Sequence, residues 1–308
     1  MPKLGLRRAA EQWGECVKRK THKRVAFWSF ALSVRFRQSA QRGNPMDRDD
    51  IITGFTAKAQ SDSRVAALFL GGSLGAGRGD IYSDVDLILV AFPEHHAALT
   101  AEVRGWADEI AELVIWRPPY PGLPLFMAVT TEWHRFDITV TVPSRVTGSK
   151  AGLKPLVDHA DVWTPLPARL PPQSMPAAQL EALIEETMRI LGLLPLAIGR
   201  EEYPVSVTGI GLLRANLITL MIAEGEPSLP PGAMGLRNVI SPEDFAYLTA
   251  QPGVAATREA VIAASLDYAG QFLARARALA AKVGAMWPNR LETALRERLR
   301  RELQIELP

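Results

Sequence analysis

The chain has 308 residues, of which 47% are hydrophobic and 22% charged, so it is long enough for one large domain or two ordinary domains. Its single cysteine excludes an internal disulfide, and its five histidines have no cysteine set that would give a zinc-binding spacing. Residues 1–45 carry eleven Lys and Arg against two Glu, a net charge of +9. Because the whole chain has a formal charge of +2, the remaining residues have a net charge of −7. The acidic net charge outside residues 1–45 argues against a nucleic-acid partner. The single cysteine is typical of a protein in a reducing compartment, so we expect a cytoplasmic location.

The first 45 residues differ in character from the rest, with basic clusters around a short apolar patch at 25–34. Three interpretations compete: a targeting segment, an arm that binds nucleic acid or membrane, and a stretch translated from a start codon upstream of Met46. We favour the third, because residues 47–60 open a helix with acids in its first turn, where the helix dipole stabilises them. We therefore predict that residues 1–45 are a disordered or dispensable extension.

Residues 46–153 alternate between helical and strand patterns, which is typical of an α/β arrangement of elements. Helices are predicted near 47–60 and 95–108. Strands are predicted near 65–70, 85–91, 111–116, 126–130 and 135–142. The prediction is an α+β catalytic domain with a mixed sheet and flanking helices.

Six prolines between residues 154 and 176 predict a linker there, because proline interrupts regular elements. The part from 177 to 308 is helical by pattern and predicts an all-α bundle domain. Its helices are predicted at 177–198, 204–224, 241–250, 254–284 and 288–305. The apolar run 210–223 is interrupted by Arg214 and Asn216, so no membrane span is expected. An oligomer is compatible with this organisation.

The most informative stretch runs from the Gly71-Gly72-Ser73 turn to the Asp84-Val85-Asp86 segment. A strand that ends in Gly-Gly-Ser can turn sharply and present backbone N–H groups and a hydroxyl to an anion such as a triphosphate. Asp84 and Asp86 are two residues apart on a strand, so their side chains leave the same face. Two like charges in this position need a cation, and oxygen-only ligation suits Mg²⁺.

Asp137 is a third acid, placed where it interrupts the hydrophobic alternation of a later strand. With one or two Mg²⁺ ions, three such carboxylates can activate a hydroxyl and stabilise in-line displacement at phosphorus. Two structural alternatives stay open for Asp137, which could cap a strand end or pair with Arg135. Isolated Gly-Gly-Ser turns and Asp-x-Asp pairs are commonly structural, and only their combination is specific.

Several further polar residues are candidates for binding. Arg214 interrupts an apolar helix and is predicted to reach the nucleotide or its phosphates, although an ordinary helix stripe is the alternative. Glu185 and Glu186 could contact a cationic acceptor, but helices of this composition commonly carry such residues. Arg78 and Asp80 are interpreted as part of an exposed loop.

The Gly-Ser turn, the Asp-x-Asp strand and the later strand acid together resemble the nucleotidyltransferase superfamily of the polymerase-beta type. The following helical bundle is similar to that of stand-alone bacterial nucleotidyltransferases that act on aminoglycosides or lincosamides. The resemblance implies that Gly72 and Ser73 bind phosphate and that Asp84, Asp86 and Asp137 bind metal. Ser83 completes a Ser-Asp-x-Asp form common in the small-molecule branch. The implied reaction transfers a nucleoside monophosphate to a hydroxyl of a small-molecule acceptor, by default AMP from ATP, with another nucleoside triphosphate as the alternative donor.

Two other functions remain as alternatives. One is nucleotidylation of a protein or a tRNA by a toxin-antitoxin component. The other is a non-catalytic regulatory module that binds nucleotide. The sequence does not distinguish the acceptor, the nucleobase or the general base.

Overall fold

The computed structural model describes residues 47–118, 122, 124–227 and 235–308. The extension predicted at 1–45 lies outside the described residues, and so does the predicted start at Met46. The first described helix begins as the sequence indicates. Asp47 is its N-cap and accepts hydrogen bonds from the backbone N–H groups of Asp49 and Asp50, while the Asp50 carboxylate accepts one from the Asp47 N–H. This reciprocal capping satisfies N–H groups that have no partner inside the helix.

The sheet half of the protein consists of a six-stranded mixed sheet with helices, as predicted. The strands are β1 (Val65–Leu70), β2 (Val85–Ala91), β3 (Leu113–Arg117), β4 (Leu125–Thr130), β5 (Arg135–Thr141) and β6 (Lys154–Asp158). The strand order in the sheet is β3-β4-β5-β2-β1-β6, in which β2 and β5 are parallel and the other neighbours are antiparallel. The helices are α1 (Arg48–Ser61), the single turn α2 (Gly72–Gly75) and α3 (His96–Ile110).

One face of the central strands packs into the main core of this half. The odd-numbered residues of β2, such as Leu87 and Leu89, are fully buried there together with Phe136 and Ile138 of β5. Phe55 of α1 meets Phe136 edge to face, with ring centroids 5.7 Å apart. Burial of this face fixes the register of β2, because a shift by one residue would expose every core side chain.

The opposite face of the sheet is covered only in part. A smaller cluster there contains Phe69, Ile88 and Val90 together with Val162 and Trp163 from the chain that follows β6. Asp86 shares this face with Ile88 and Val90, because side chains alternate along a strand. The acids therefore lie on the face opposite the main core.

The segment predicted as a linker differs from the expectation at its start. Residues Lys154–Asp158 form β6, which pairs with β1 at the edge of the sheet. Pro155 is tolerated because an edge strand needs hydrogen-bond donors on one side only. Irregular chain follows from 159 to 176, and the domain boundary within it stays a prediction.

The structure confirms that the part of the chain from residue 177 onward is helical, with one difference from the predicted helices. The predicted helix at 177–198 is two helices, because Pro195 lies at the start of the second and lacks the N–H that would continue the first. The helices are α4 (Ala177–Gly192), α5 (Leu194–Gly199), α6 (Tyr203–Glu224), α7 (Pro242–Ala250), α8 (Arg258–Val283) and α9 (Asn289–Leu303).

Helix α6 is apolar and long enough, by composition, to cross a membrane, with a mean hydropathy of 1.7 over its most apolar window. It nevertheless packs as a bundle helix. Ile210, Leu213, Leu217 and Leu220 recur at helical spacing and lie in the core of this half. Only 28% of that window is buried, and the absence of a membrane span stays a prediction from the sequence.

Candidate active site

Two of the predicted carboxylates are direct neighbours in the sheet. Asp86 of β2 and Asp137 of β5 are paired in the parallel register, so their side chains leave the same face. Asp84 immediately precedes β2 and lies on this face as well. Its carboxylate is 3.1 Å from the guanidinium of Arg135, the residue that opens β5. The structure thus places Asp86 and Asp137 side by side, with Asp84 two residues before Asp86 at the same end of the parallel pair.

The alternative pairing of Asp137 with Arg135 is not what the structure shows, because Arg135 contacts Asp84 instead. Both partners are well exposed, with 56% of the Arg135 side chain and 42% of the Asp84 side chain accessible to solvent. Exposed ion pairs contribute about 1 kcal/mol or less to stability. Asp84 can therefore leave this pair at little cost when a stronger cation is offered.

The carboxylates of Asp86 and Asp137 are poorly solvated. The pKa of Asp86 is raised to about 6, chiefly by burial and then by the neighbouring charges of Asp84 and Asp137, against a lowering influence from Arg135. Burial also raises the pKa of Asp137, followed by the charge of Asp84. Nearby like charges that cannot be hydrated favour a bound cation.

The glycine turn after β1 presses against Asp86. The Gly71 N–H donates a hydrogen bond of 2.8 Å to the backbone carbonyl of Asp86, and Gly72 follows with φ of +58°. A Cβ atom at residue 72 would lie 1.8 Å from Asp86 Oδ2. Only glycine fits here, because a side chain would both strain the backbone and displace the carboxylate.

Ser73 and Ser83 join the two ends of the loop between the turn and the acids. The Ser73 hydroxyl donates to Ser83 Oγ at 2.8 Å, and Ser83 Oγ accepts a hydrogen bond from the Asp80 N–H at 2.9 Å. Ser83 also donates to Asp80 Oδ1 at 3.1 Å. Ser83 thus fixes the position of the Ser73 hydroxyl. Asp80 holds the Ser83 side chain in place, a structural role that the sequence did not indicate.

Arg48 is a residue of this region that sequence reasoning missed. Its Nη1 donates to the backbone carbonyl of Asp80 and lies 3.5 Å from that of Ser83, which ties the start of α1 to the loop before Asp84. Its Nε is buried and has no hydrogen-bond acceptor. No local pattern identifies a contact across 32 residues of sequence.

The remaining candidates lie in the helical half. Arg214 Nη2 donates to the backbone carbonyl of Leu248 at 3.2 Å, near the end of α7. This contact gives Arg214 a structural partner, and its role in nucleotide binding stays a prediction. Glu186 pairs with Arg189 on the surface of α4, with 2.6 Å between Oε2 and Nε.

The donor set at the edge of β2 and β5 fits a hard divalent cation. Three carboxylates without sulfur or imidazole ligands suit Mg²⁺, and the absence of a side chain at Gly72 lets the Asp86 carboxylate lie directly against the turn. Among the described residues, no three acids, histidines or cysteines are drawn together closely enough to form a ready-made cluster. At the present site the Asp84 carboxylate lies against the Arg135 guanidinium, 3.1 Å away.

We expect Mg²⁺ to stabilise the protein more at pH 7.5 than at pH 5. At pH 5 Asp86 holds a proton, because its pKa is about 6, and protons then compete with the cation. Thermal melting with and without 10 mM MgCl₂ at the two pH values measures this, with CaCl₂ as a test of ion selectivity. An equal Mg²⁺ effect at both pH values would show that the ion binds elsewhere.

Comparison with known proteins gives little further information. No family profile matches the chain, and no curated protein matches it by sequence. Among solved structures, the chain is similar to an aminoglycoside 6-adenyltransferase from Bacillus subtilis. The two share 12% identity with a TM-score of 0.38, over 82% of this chain and 98% of that chain. A structural similarity at this level carries no information about the activity of the chain. Any proposal of an activity therefore depends on the geometry of the site.

Proposed function

We propose that the chain is a metal-dependent nucleotidyltransferase. One observation carries the proposal: Asp86 and Asp137 are in register on parallel strands, and the Gly72 turn lies against the Asp86 carboxylate. A glycine turn beside paired acids suits phosphoryl chemistry, because the substrate is polyanionic and charge moves during displacement. These features of the sheet half support the proposed class of reaction.

Each residue has a distinct part in this proposal. Asp84, Asp86 and Asp137 would hold Mg²⁺, which would neutralise the phosphates and stabilise charge on the leaving group. The backbone of Gly72 would bind phosphate, and so would the Ser73 hydroxyl once its proton turns from Ser83 Oγ to a phosphate oxygen. Asp137 is also the candidate to accept the proton of the attacking hydroxyl, because it lies on the strand farther from the glycine turn.

More particularly, we propose transfer of AMP from ATP to a hydroxyl of a small molecule, with release of pyrophosphate. The acidic balance of −7 outside residues 1–45 supports a cationic acceptor over a nucleic acid. Aminoglycoside and lincosamide antibiotics are the acceptor classes that the sequence resemblance suggests, and resistance to them would be the consequence.

The test is to incubate the full chain with Mg²⁺ and each of four α-³²P-labelled nucleoside triphosphates. Aminoglycosides, lincosamides, tRNA and the protein itself are offered separately as acceptors. Label on a small molecule supports the proposal and identifies the acceptor class. Label on tRNA or protein supports a toxin-type nucleotidyltransferase instead. No label with any acceptor would favour a non-catalytic nucleotide-binding module.

A further inference from the structure

Large apolar side chains are exposed beside the acids. Ile81 is 84% exposed, Tyr82 is 82% exposed and Trp133 is 73% exposed. These are among the most exposed large apolar residues of the described chain. Exposed aromatic groups of this size commonly mark a binding surface, because burying them against a ligand is favourable.

Tyr82 and Trp133 occupy equivalent positions in front of the two parallel strands. Tyr82 lies two residues before Asp84, and Trp133 lies two residues before Arg135. Asp84 and Arg135 are themselves in contact at 3.1 Å. Since Val85 pairs with Phe136 in the parallel register, residues 82 and 133 are both three residues upstream of that pair. The two aromatic residues therefore each lie two residues from the Asp84–Arg135 contact at the head of the parallel strands.

The backbone of Trp133 is held in an unfavourable conformation. Its φ is +69°, a region that bulky residues rarely adopt and that costs on the order of 1 kcal/mol or more. The turn is closed by a hydrogen bond of 3.0 Å from the Trp133 N–H to the Thr130 carbonyl. A glycine would satisfy this turn without strain. A strained and exposed tryptophan thus has no structural advantage at this position.

The order of the strands indicates which substrate Trp133 meets. The glycine turn follows β1, which lies on one side of β2, whereas β5 and Trp133 lie on the other side. In-line displacement places the attacking group opposite the leaving group. If the leaving pyrophosphate is held at Gly72 and Ser73, the acceptor enters from the side of β5.

We propose that Tyr82 and Trp133 form a platform on which the ring of the acceptor lies, and that this platform sets acceptor specificity. The inference rests on the proposed nucleotidyl transfer. Aromatic faces bind apolar ring surfaces and attract ammonium groups. An acceptor with a hydroxylated ring that carries amino groups fits both the aromatic faces and the neighbouring carboxylates.

The decisive variants are Trp133→Gly and Tyr82→Ala, compared with Met286→Ala in the helical half, where Met286 is 76% exposed. In the full chain, with ATP and the aminoglycoside or lincosamide that accepts label, we expect each aromatic variant to raise the KM for the acceptor about tenfold, equivalent to ~1.4 kcal/mol. The KM for ATP should stay within twofold. The melting temperature of Trp133→Gly should equal or exceed that of the wild type.

The outcomes separate this proposal from the proposed function. Unchanged acceptor KM in both variants, or a rise in the KM for ATP instead, would overturn the platform while leaving the transferase intact. A fall in the melting temperature of Trp133→Gly together with an unchanged acceptor KM in Tyr82→Ala would assign the tryptophan to folding and overturn the platform. Absence of transfer by the wild type would overturn both proposals.

Discussion

Replacing Asp86 with asparagine is expected to abolish nucleotidyl transfer and to stabilise the metal-free protein. Asp86 pairs with Asp137 in the sheet and lies beside the Gly72 turn, so in the proposed site its carboxylate would be central to cation binding. Loss of a group on which metal binding depends lowers kcat by about 10³-fold or more. Steady-state transfer of α-labelled phosphate to the acceptor measures the first effect.

The expected gain in stability has a definite sign. The folded state raises the pKa of Asp86 to about 6, from about 3.9 in an unfolded chain. Ionisation therefore disfavours folding, and stability from this group falls as the pH rises from about 4 to about 6. At pH 7 the neutral asparagine removes a penalty of about 2 kcal/mol, allowing for residual solvent at the site. Urea denaturation in EDTA at pH 7 measures the difference.

Asp108→Asn is the matched control for Asp86→Asn. Asp108 lies on α3 and makes an exposed ion pair with Arg104 at 3.5 Å. Its replacement should change stability by about 0.5 kcal/mol or less and leave turnover unaltered. If Asp86→Asn retained wild-type turnover, or lost stability at pH 7 as ordinary core substitutions do, the assignment of Asp86 would be wrong.

Replacing Gly72 with alanine should remove most of the activity by a steric route. The new Cβ would lie 1.8 Å from Asp86 Oδ2, so the turn or the carboxylate must move. A displacement of about 1 Å at a catalytic group can reduce the rate about 100-fold. The left-handed φ adds a backbone cost of about 1 kcal/mol. Turnover and urea denaturation together report the two effects.

Gly77→Ala separates strain from steric displacement. Gly77 also has a positive φ, +67°, but a Cβ there would meet no atom within 4 Å. It should therefore lose about 1 kcal/mol of stability and keep its turnover. Equal loss of activity in both variants would mean that loop conformation, rather than the contact with Asp86, governs the reaction.

The carboxylates and the turn were predictable because each is encoded locally. Asp84 and Asp86 are two residues apart at the head of an apolar strand, which determines their common face. Asp137 was detectable as a polar residue in an alternating strand. Its pairing with Asp86, however, depends on a parallel register between strands that are distant in sequence.

Other features depend on distant contacts and could not be predicted. Strand β6 lies in a proline-containing segment, and its pairing with β1 supplies order that local propensity does not indicate. Arg48 reaches the loop carbonyls across the fold, and Arg135 selects Asp84 over Asp137. The exposed position of Trp133 is also hidden in the sequence, where tryptophan suggests a core residue.

The most direct measurement is a calorimetric titration of the full chain with a non-hydrolysable ATP analogue, with and without Mg²⁺. It requires no knowledge of the acceptor. The proposed site predicts saturable binding with one nucleotide per chain that depends on Mg²⁺ and is lost in Asp86→Asn. Binding that persists unchanged in EDTA, or in Asp86→Asn, would contradict a metal and nucleotide site built on Asp84, Asp86 and Asp137.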